Sequence, residues 1–135
     1  MINAEISYGD AGYMASISGH ACFAPKGQDI VCAGVSALTA ALYKTASGFI
    51  SAENAAYYSV EINEGCFEMR VLGIKDSESA KRLEMLFLML FEGLFEIERQ
   101  YPENLKLNMF EFPFGDKDND TSEQTMTENR EEDKG

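Results

Sequence analysis

Apolar and polar residues alternate in two stretches near the start of the chain, residues 2–6 and 13–17. This every-second-residue pattern is typical of strands with one buried face. The letters GDAG lie between them, and a short link that contains Gly and Asp favours a β-hairpin. A second alternating pair follows later, as YYSVEINEG and CFEMRVLGI, with Glu64 and Gly65 at its turn. The pattern therefore predicts two hairpins.

Between the hairpins, the apolar residues take the spacing of a helix. Valine or leucine recurs at positions 31, 35, 38 and 42, and Asp29 precedes them as a predicted N-cap. This helix is expected to end before Gly48. A longer helix is predicted from Asp76 or Ser77 to about Gln100, and its centre, MLFLMLF, is apolar all round. Such a centre indicates burial on more than one side, either as a core helix or at a dimer interface.

Pro102 ends the long helix, and apolar alternation over residues 105–109 predicts a final strand. The predicted order is β-β-α-β-β-α-β, an α+β fold in which two helices cover a mostly antiparallel sheet. Residues 1–112 are assigned to one domain. Residues 113–135 contain 8 acidic and 3 basic residues and almost nothing to bury. They are predicted to form a disordered acidic tail.

The charge of the chain restricts its partners. The net charge is −12, of which the tail contributes −5 and the remaining residues −7. An acidic domain argues against nucleic-acid binding, which needs Lys and Arg to neutralise phosphates. It suits a basic peptide or protein partner, because opposite charges steer association.

The hydropathy pattern and the cysteine count indicate the cellular compartment of the protein. The longest strongly apolar run, residues 85–91, is far shorter than the roughly 20 residues of a membrane span. The first ten residues, MINAEISYGD, lack the basic and apolar regions of a signal peptide. Three cysteines without a CxxC pair do not form a disulfide framework. We therefore expect a cytoplasmic protein that is not bound to a membrane.

The candidate chemistry lies in residues 19–36, GHACFAPKGQDIVCAGVS, which contain the only histidine of the chain. His20 ends a predicted strand, and Cys32 lies in the first turn of the predicted helix. The positive end of a helix favours a thiolate, the reactive form of cysteine. A nearby imidazole can stabilise that anion and later protonate a leaving amine, and N–H groups at the helix start can hold an oxyanion. The segment thus predicts a nucleophile, an acid–base group and oxyanion donors.

Other residues of the segment have candidate supporting roles. Gly19 and Gly27 flank the loop between His20 and the helix, where they permit close backbone approach and bending. Ser36 lies one helical turn after Cys32 and could form a hydrogen bond near it. Asp29 is an N-cap by position, and orienting His20 is its alternative role.

A zinc site is the alternative to a catalytic pair. His20 and the three cysteines, Cys22, Cys32 and Cys66, are four possible ligands, but the paired spacing of structural zinc sites is missing. Cys22 can equally be a small packed residue, and Cys66, at the start of a strand, is expected in the core. No metal and no cofactor are predicted.

The letters SGHA, followed after a short loop by GQDIVCAGVSAL, resemble the signature of the bacterial ribosomal-processing cysteine proteases, the Prp family. The likeness continues into ERQYPENLKL and covers about residues 1–110. The chain departs from the family pattern at Cys22, where a small residue is usual, and at Gly34, where alanine is commoner. The acidic tail is a further departure.

The resemblance implies a homodimeric α+β endopeptidase with a Cys–His dyad, Cys32 and His20, that forms an acyl-enzyme. It implies a substrate, the N-terminal extension of a large-subunit ribosomal protein, and a mobile loop bounded by Gly19 and Gly27. Residues 105–112, LKLNMFEF, are similar to that extension. They are either an edge strand by coincidence or a pseudo-substrate.

Two other classes of function stay open at this point. One is a non-catalytic, ribosome-associated binding module with an inert buried Cys32. The other is a thiol redox sensor, because Cys22 lies in the loop that leads to Cys32 and could form a regulatory disulfide with it.

Overall fold

The alternating and helical patterns produce five strands and two helices in the part of the chain that the structure describes. The structure is a computed structural model, and it describes residues 1–20, 24–25 and 28–111. The predictions for Cys22, for Gly27 and for the acidic tail lie outside these residues. The elements are β1 (Ile2–Gly9), β2 (Gly12–Ser18), α1 (Ile30–Ser47), β3 (Ala55–Asn63), β4 (Cys66–Ile74), α2 (Ser77–Gln100) and β5 (Leu105–Glu111).

The strands form one sheet in the order β3-β4-β2-β1-β5. Both predicted hairpins are present, and β2 pairs antiparallel with β4, so the hairpins join through those strands. β5 adds to β1 in the parallel direction, with Leu105 opposite Ile2. The predicted α+β class, the element order and the mostly antiparallel sheet are confirmed.

The core lies between one face of the sheet and the helices. Alternate residues of β1 and β4 are buried, and α2 contributes a stripe of four apolar side chains: Leu83, Phe87, Leu90 and Leu94. The rings of Tyr13 and Phe87 lie 5.1 Å apart and fasten α2 to β2. Burial there, and the nearby Glu84 carboxylate, raise the pKa of Tyr13.

The opposite face of α2 is not buried within the chain. Met85, Leu88 and Met89 are 63%, 47% and 59% exposed. The core-helix alternative is therefore wrong, whereas the dimer-interface alternative stays a prediction. Only one stripe of the helix packs into the core, and the opposite apolar stripe is exposed at the surface.

The two helices approach each other through glycines. A Cβ at Gly93 of α2 would lie 2.8 Å from the Leu38 methyl groups of α1, and one at Gly34 of α1 would lie 3.3 Å from Ile97 Cδ1. At position 93 an alanine would require the end of the Leu38 side chain to move, whereas at position 34 it would require only a shift of a few tenths of an ångström. Since Gly34 is two residues from Cys32, this packing also fixes the start of α1.

α1 is long and apolar enough, by length and composition alone, to cross a membrane. Core helices pass the same test. Four of its apolar side chains, Val31, Val35, Leu42 and Ala46, are buried in the core.

β5 is a core strand rather than a detached segment. Leu105 and Leu107 are completely buried, and the strand pairs with β1 along its length. A pseudo-substrate role would require these side chains to leave the core. The edge-strand interpretation of LKLNMFE accounts for the burial.

A buried carboxylate of α2 holds β5 in place. Glu98 is 4% exposed, and its Oε2 accepts a hydrogen bond from the Leu107 N–H at 2.9 Å. This N–H belongs to an edge strand, where a backbone donor otherwise has no strand partner. The carboxylate therefore satisfies a buried donor and ties the end of α2 to the sheet.

We predict that Glu98→Ala lowers the free energy of unfolding by about 1–3 kcal/mol, because it leaves a buried donor unsatisfied. Glu98→Gln retains an acceptor oxygen and is expected to lose less. Glu96→Ala, two residues away in the same helix, removes exposed contacts only, an ion pair with Arg99 and a hydrogen bond from Gln100, and serves as the control. Urea denaturation measures all three variants. Equal losses for Glu98→Ala and Glu96→Ala would contradict the role of the buried bond.

Candidate active site

A cavity of about 850 Å³ opens between the start of α1 and one end of the sheet. Its lining includes five of the six residues predicted for the site: Gly19, His20, Asp29, Cys32 and Ser36. The sixth, Gly27, lies outside the described residues. The fold thus brings the five described candidate residues to one cavity.

Cys32 is the third residue of α1, and its position depends on the cap of that helix. Asp29 is the N-cap, and its Oδ1 accepts a hydrogen bond from the Cys32 N–H at 3.0 Å. Its Oδ2 lies 3.5 Å from the Ala24 N–H and thereby ties the loop to the helix start. The N-cap prediction is confirmed, while orientation of His20 by Asp29 stays a prediction.

The cap also limits which amides can hold an oxyanion. The Cys32 N–H is engaged by the Asp29 carboxylate, and the Ala33 N–H is engaged by the Asp29 carbonyl at 3.0 Å. The first turn of a helix leaves its N–H groups without intrahelical partners. The amide of Cys32 is thus engaged by the cap, and neither Ile30 nor Val31, the other two residues at the start of this turn, lines the cavity.

Cys32 is half-buried and packs against the edge of the core, yet it lines the open cavity. A sulfur in a sealed apolar interior would be inert, and this one is accessible. Ser36, one turn further along α1, lines the same wall, as the helical spacing predicts. Its supporting role stays a prediction.

The sheet holds the backbone next to His20. Ser18 pairs with Cys66 at the end of the β2–β4 ladder, and the Gly19 N–H donates to the Gly65 carbonyl at 2.9 Å. The next residue, His20, is exposed, and its ring lies beside Gly65 in the β3–β4 turn. The imidazole and the thiol therefore reach the cavity from different rigid elements.

Gly19 is required by a close backbone approach. Its φ is +96°, and a Cβ there would lie 2.4 Å from the Met1 carbonyl oxygen. No side chain fits at this separation without movement of β1. The predicted close approach is confirmed, while a hinge function of Gly19 stays a prediction.

Sequence reasoning missed the contribution of the β3–β4 turn. Residues 62–67 line the cavity opposite α1. The turn itself is visible in the sequence at Glu64 and Gly65, but periodicity does not reveal that β4 pairs with β2. That pairing brings the turn to His20.

The prediction that Cys66 lies in the core is wrong. It is exposed at the cavity, because Phe67, Met69 and Val71 occupy the core face of β4 and Cys66 alternates out of it. Within the described ranges, no group of three or more His, Cys, Asp or Glu side chains is arranged to hold a metal ion.

The cavity continues along α1 beyond Cys32. Its lining includes Thr39, Ala40 and Tyr43, and the rings of Tyr43 and Phe67 lie 6.2 Å apart at its apolar part. From Cys32 to Tyr43 the helix rises about 16 Å, at 1.5 Å per residue. An extended peptide rises about 3.3 Å per residue, so this distance corresponds to about five residues.

Comparisons with known proteins agree with the geometry. Residues 1–106 match the model of the family described as cysteine protease Prp. The ribosomal processing cysteine protease Prp of Staphylococcus aureus is 31% identical over 110 residues, which cover 80% of this chain and 98% of that protein.

Solved structures show the same fold. The S. aureus Prp structure, in complex with a covalently linked product peptide, has 26% identity and a TM-score of 0.66, and the match covers 81% of this chain and 99% of that one. SMU.848 from Streptococcus mutans has 23% identity and a TM-score of 0.64, and the match covers 83% of this chain and 96% of that one.

We predict that Asp29→Ala disturbs the site as well as the fold. Loss of an N-cap costs about 1 kcal/mol, and here it also frees the loop and the Cys32 amide. The rate at which iodoacetamide alkylates Cys32 should differ from the rate without this substitution. Both rates are measured in a Cys22→Ser, Cys66→Ser background, in which Cys32 is the one remaining cysteine. Asp76→Ala is the matched control, because Asp76 caps α2 through the Ser79 N–H, away from the cavity.

The control is expected to lower the melting temperature without changing the alkylation rate. Asp29→Asn keeps an acceptor oxygen and should fall between wild type and Asp29→Ala. An unchanged Cys32 alkylation rate in Asp29→Ala would show that the cap does not set the environment of the thiol.

Proposed function

The chain belongs to the Prp family of cysteine proteases, and from that membership we propose that it removes the N-terminal extension of a bacterial large-subunit ribosomal protein. The observation that carries the proposal is the shared cavity of His20 and Cys32. The name of the S. aureus relative, a ribosomal processing protease, supports the substrate class. This function places the protein in the cytoplasm.

The proposed reaction uses the two side chains as a dyad. The Cys32 thiolate attacks the scissile carbonyl, and backbone N–H groups near Cys32 stabilise the oxyanion. His20, as imidazolium, protonates the departing amine as the C–N bond breaks, which leaves an acyl-enzyme on Cys32. His20 then takes a proton from water, the resulting hydroxide attacks the thioester, and the thiolate is released with the N-terminal product.

The shape and charge of the cavity suit a peptide substrate. The wall along α1 has room for about five extended residues, and its lining combines small side chains with the apolar Tyr43 and Phe67. The covalently linked product peptide of the S. aureus relative supports binding of a peptide here. The net charge of −12 favours a substrate that is basic beyond its cleavage point, as ribosomal proteins are.

The homodimer implied by the family is proposed to form through the outer face of α2. Met85, Leu88 and Met89 lie on one stripe of that helix, at the spacing of residues that share a face. Lys81 and Glu92 lie one turn beyond each end of the stripe. An antiparallel copy related by a two-fold axis near the middle of α2 would place Lys81 opposite the partner's Glu92, so that apolar and charged groups both match.

We predict that Cys32→Ala and Cys32→Ser abolish trimming of the same organism's extended ribosomal protein, with a loss of at least about 10³-fold, because the nucleophile is removed. His20→Ala should be similarly impaired. Mass spectrometry of the product measures both the rate and the cleaved bond.

Cys66→Ser is the matched thiol control, since it removes the other described cysteine at the cavity. It should retain a rate much closer to that of wild type. Trimming by Cys32→Ser at the wild-type rate would refute the dyad. A binding module or a thiol sensor would leave the extension intact even with wild-type protein.

We predict that Met85→Glu with Met89→Glu converts a dimer into a monomer, because like charges would face each other across the two-fold axis. Light scattering after size-exclusion chromatography measures the mass. Tyr57→Glu is the control, because Tyr57 is a comparably exposed apolar residue on β3. Lys81→Glu should weaken the dimer, and the added change Glu92→Lys should restore it. Unaltered mass in the Met85 and Met89 variant would place the interface elsewhere.

A further inference from the structure

The turn between β3 and β4 contacts the imidazole through a glycine. A Cβ at Gly65 would lie 2.8 Å from His20 Nε2 and 3.1 Å from Cε1. Real Cβ atoms do not approach another atom at 2.8 Å, so any side chain at position 65 would displace the ring. The ring edge that carries Nε2 therefore occupies the space that a side chain would fill.

The same turn also holds the backbone next to His20. The Gly65 carbonyl accepts the hydrogen bond from Gly19, and Cys66 pairs with Ser18 one step back along the ladder. The residue before the imidazole and the imidazole itself are thus both in contact with Gly65. A turn that only linked two strands would require neither contact.

We propose that Gly65 is a positioning residue for His20: its missing side chain creates the space in which the imidazole edge is held in the cavity. The inference rests on the proposed catalytic role of His20. By this inference, the β3–β4 turn contributes to the proposed active site. Gly65 does not touch the reacting atoms, and it acts through the ring.

Turn geometry alone does not explain this glycine. Its φ is +73°, and asparagine also adopts the left-handed region at modest cost. A turn requirement would therefore be met by Gly65→Asn, whereas the contact with His20 would not, because asparagine has a Cβ. The two explanations predict different results for this variant.

Gly73 provides a matched control. It lies in β4, near the far end of the same hairpin, with φ of +62°, and a Cβ there would lie 2.7 Å from the Ala56 Cβ. It does not line the cavity. Gly73→Ala thus introduces comparable backbone strain and a comparable clash away from His20.

The experiment compares Gly65→Ala, Gly65→Asn and Gly73→Ala by two measurements. His20 is the only histidine, so nuclear magnetic resonance gives one set of imidazole signals from the intact chain. We expect these signals to shift in both Gly65 variants and to stay in place in Gly73→Ala. Displacement of a reacting group by about 1 Å costs on the order of 10²-fold, so kcat on the extended ribosomal protein should fall by that factor with little change in KM.

The outcomes separate this inference from the proposed function. Unshifted imidazole signals in both Gly65 variants would overturn the inference, whatever the activity. A kcat loss in Gly73→Ala equal to that of Gly65→Ala would also overturn it, since strain alone would then explain the effect. If His20→Ala trims normally, the catalytic role fails, while the contact between Gly65 and the ring is still decided by the spectra.

Discussion

The hydrogen bond from the Cys32 N–H to the Asp29 carboxylate is the interaction on which the geometry of the site depends. It fixes the residue at which α1 begins and therefore places the thiol in the first turn, at the positive end of the helix. The second carboxylate oxygen faces the Ala24 N–H and holds the loop that comes from His20. One side chain thus sets the position of Cys32 in the first turn and also contacts the Ala24 backbone.

The candidate site lies between α1 and the sheet, and each of these is stabilised by its own contacts. Cys32 belongs to a helix that is seated on α2 where glycines permit close contact, at Gly34 and Gly93. His20 belongs to the sheet, through the pairing of β2 with β4 and the bond between Gly19 and Gly65. Rigid elements hold catalytic groups more precisely than loops do.

Local pattern predicted the elements well, and non-local pairing explains what it missed. The alternation around residues 2–17 gave the first hairpin, and Asp29 followed by helical spacing gave the start of α1. Periodicity states which residues share a face, but it does not state which strand lies beside which. The pairing of β2 with β4 brings Gly65 and Cys66 to the cavity, so Cys66 was wrongly expected in the core. Likewise, an apolar run identified α2 without revealing that one stripe of it stays exposed.

That exposed stripe and the cavity lie on different parts of the fold. The residues that line the cavity come from β1, β2, α1 and the β3–β4 hairpin with their adjoining loops, and none of those described comes from α2. α2 uses one face for the core and contacts α1 and the sheet from behind. A second copy seated on Met85, Leu88 and Met89 would therefore leave the cavity open to a peptide.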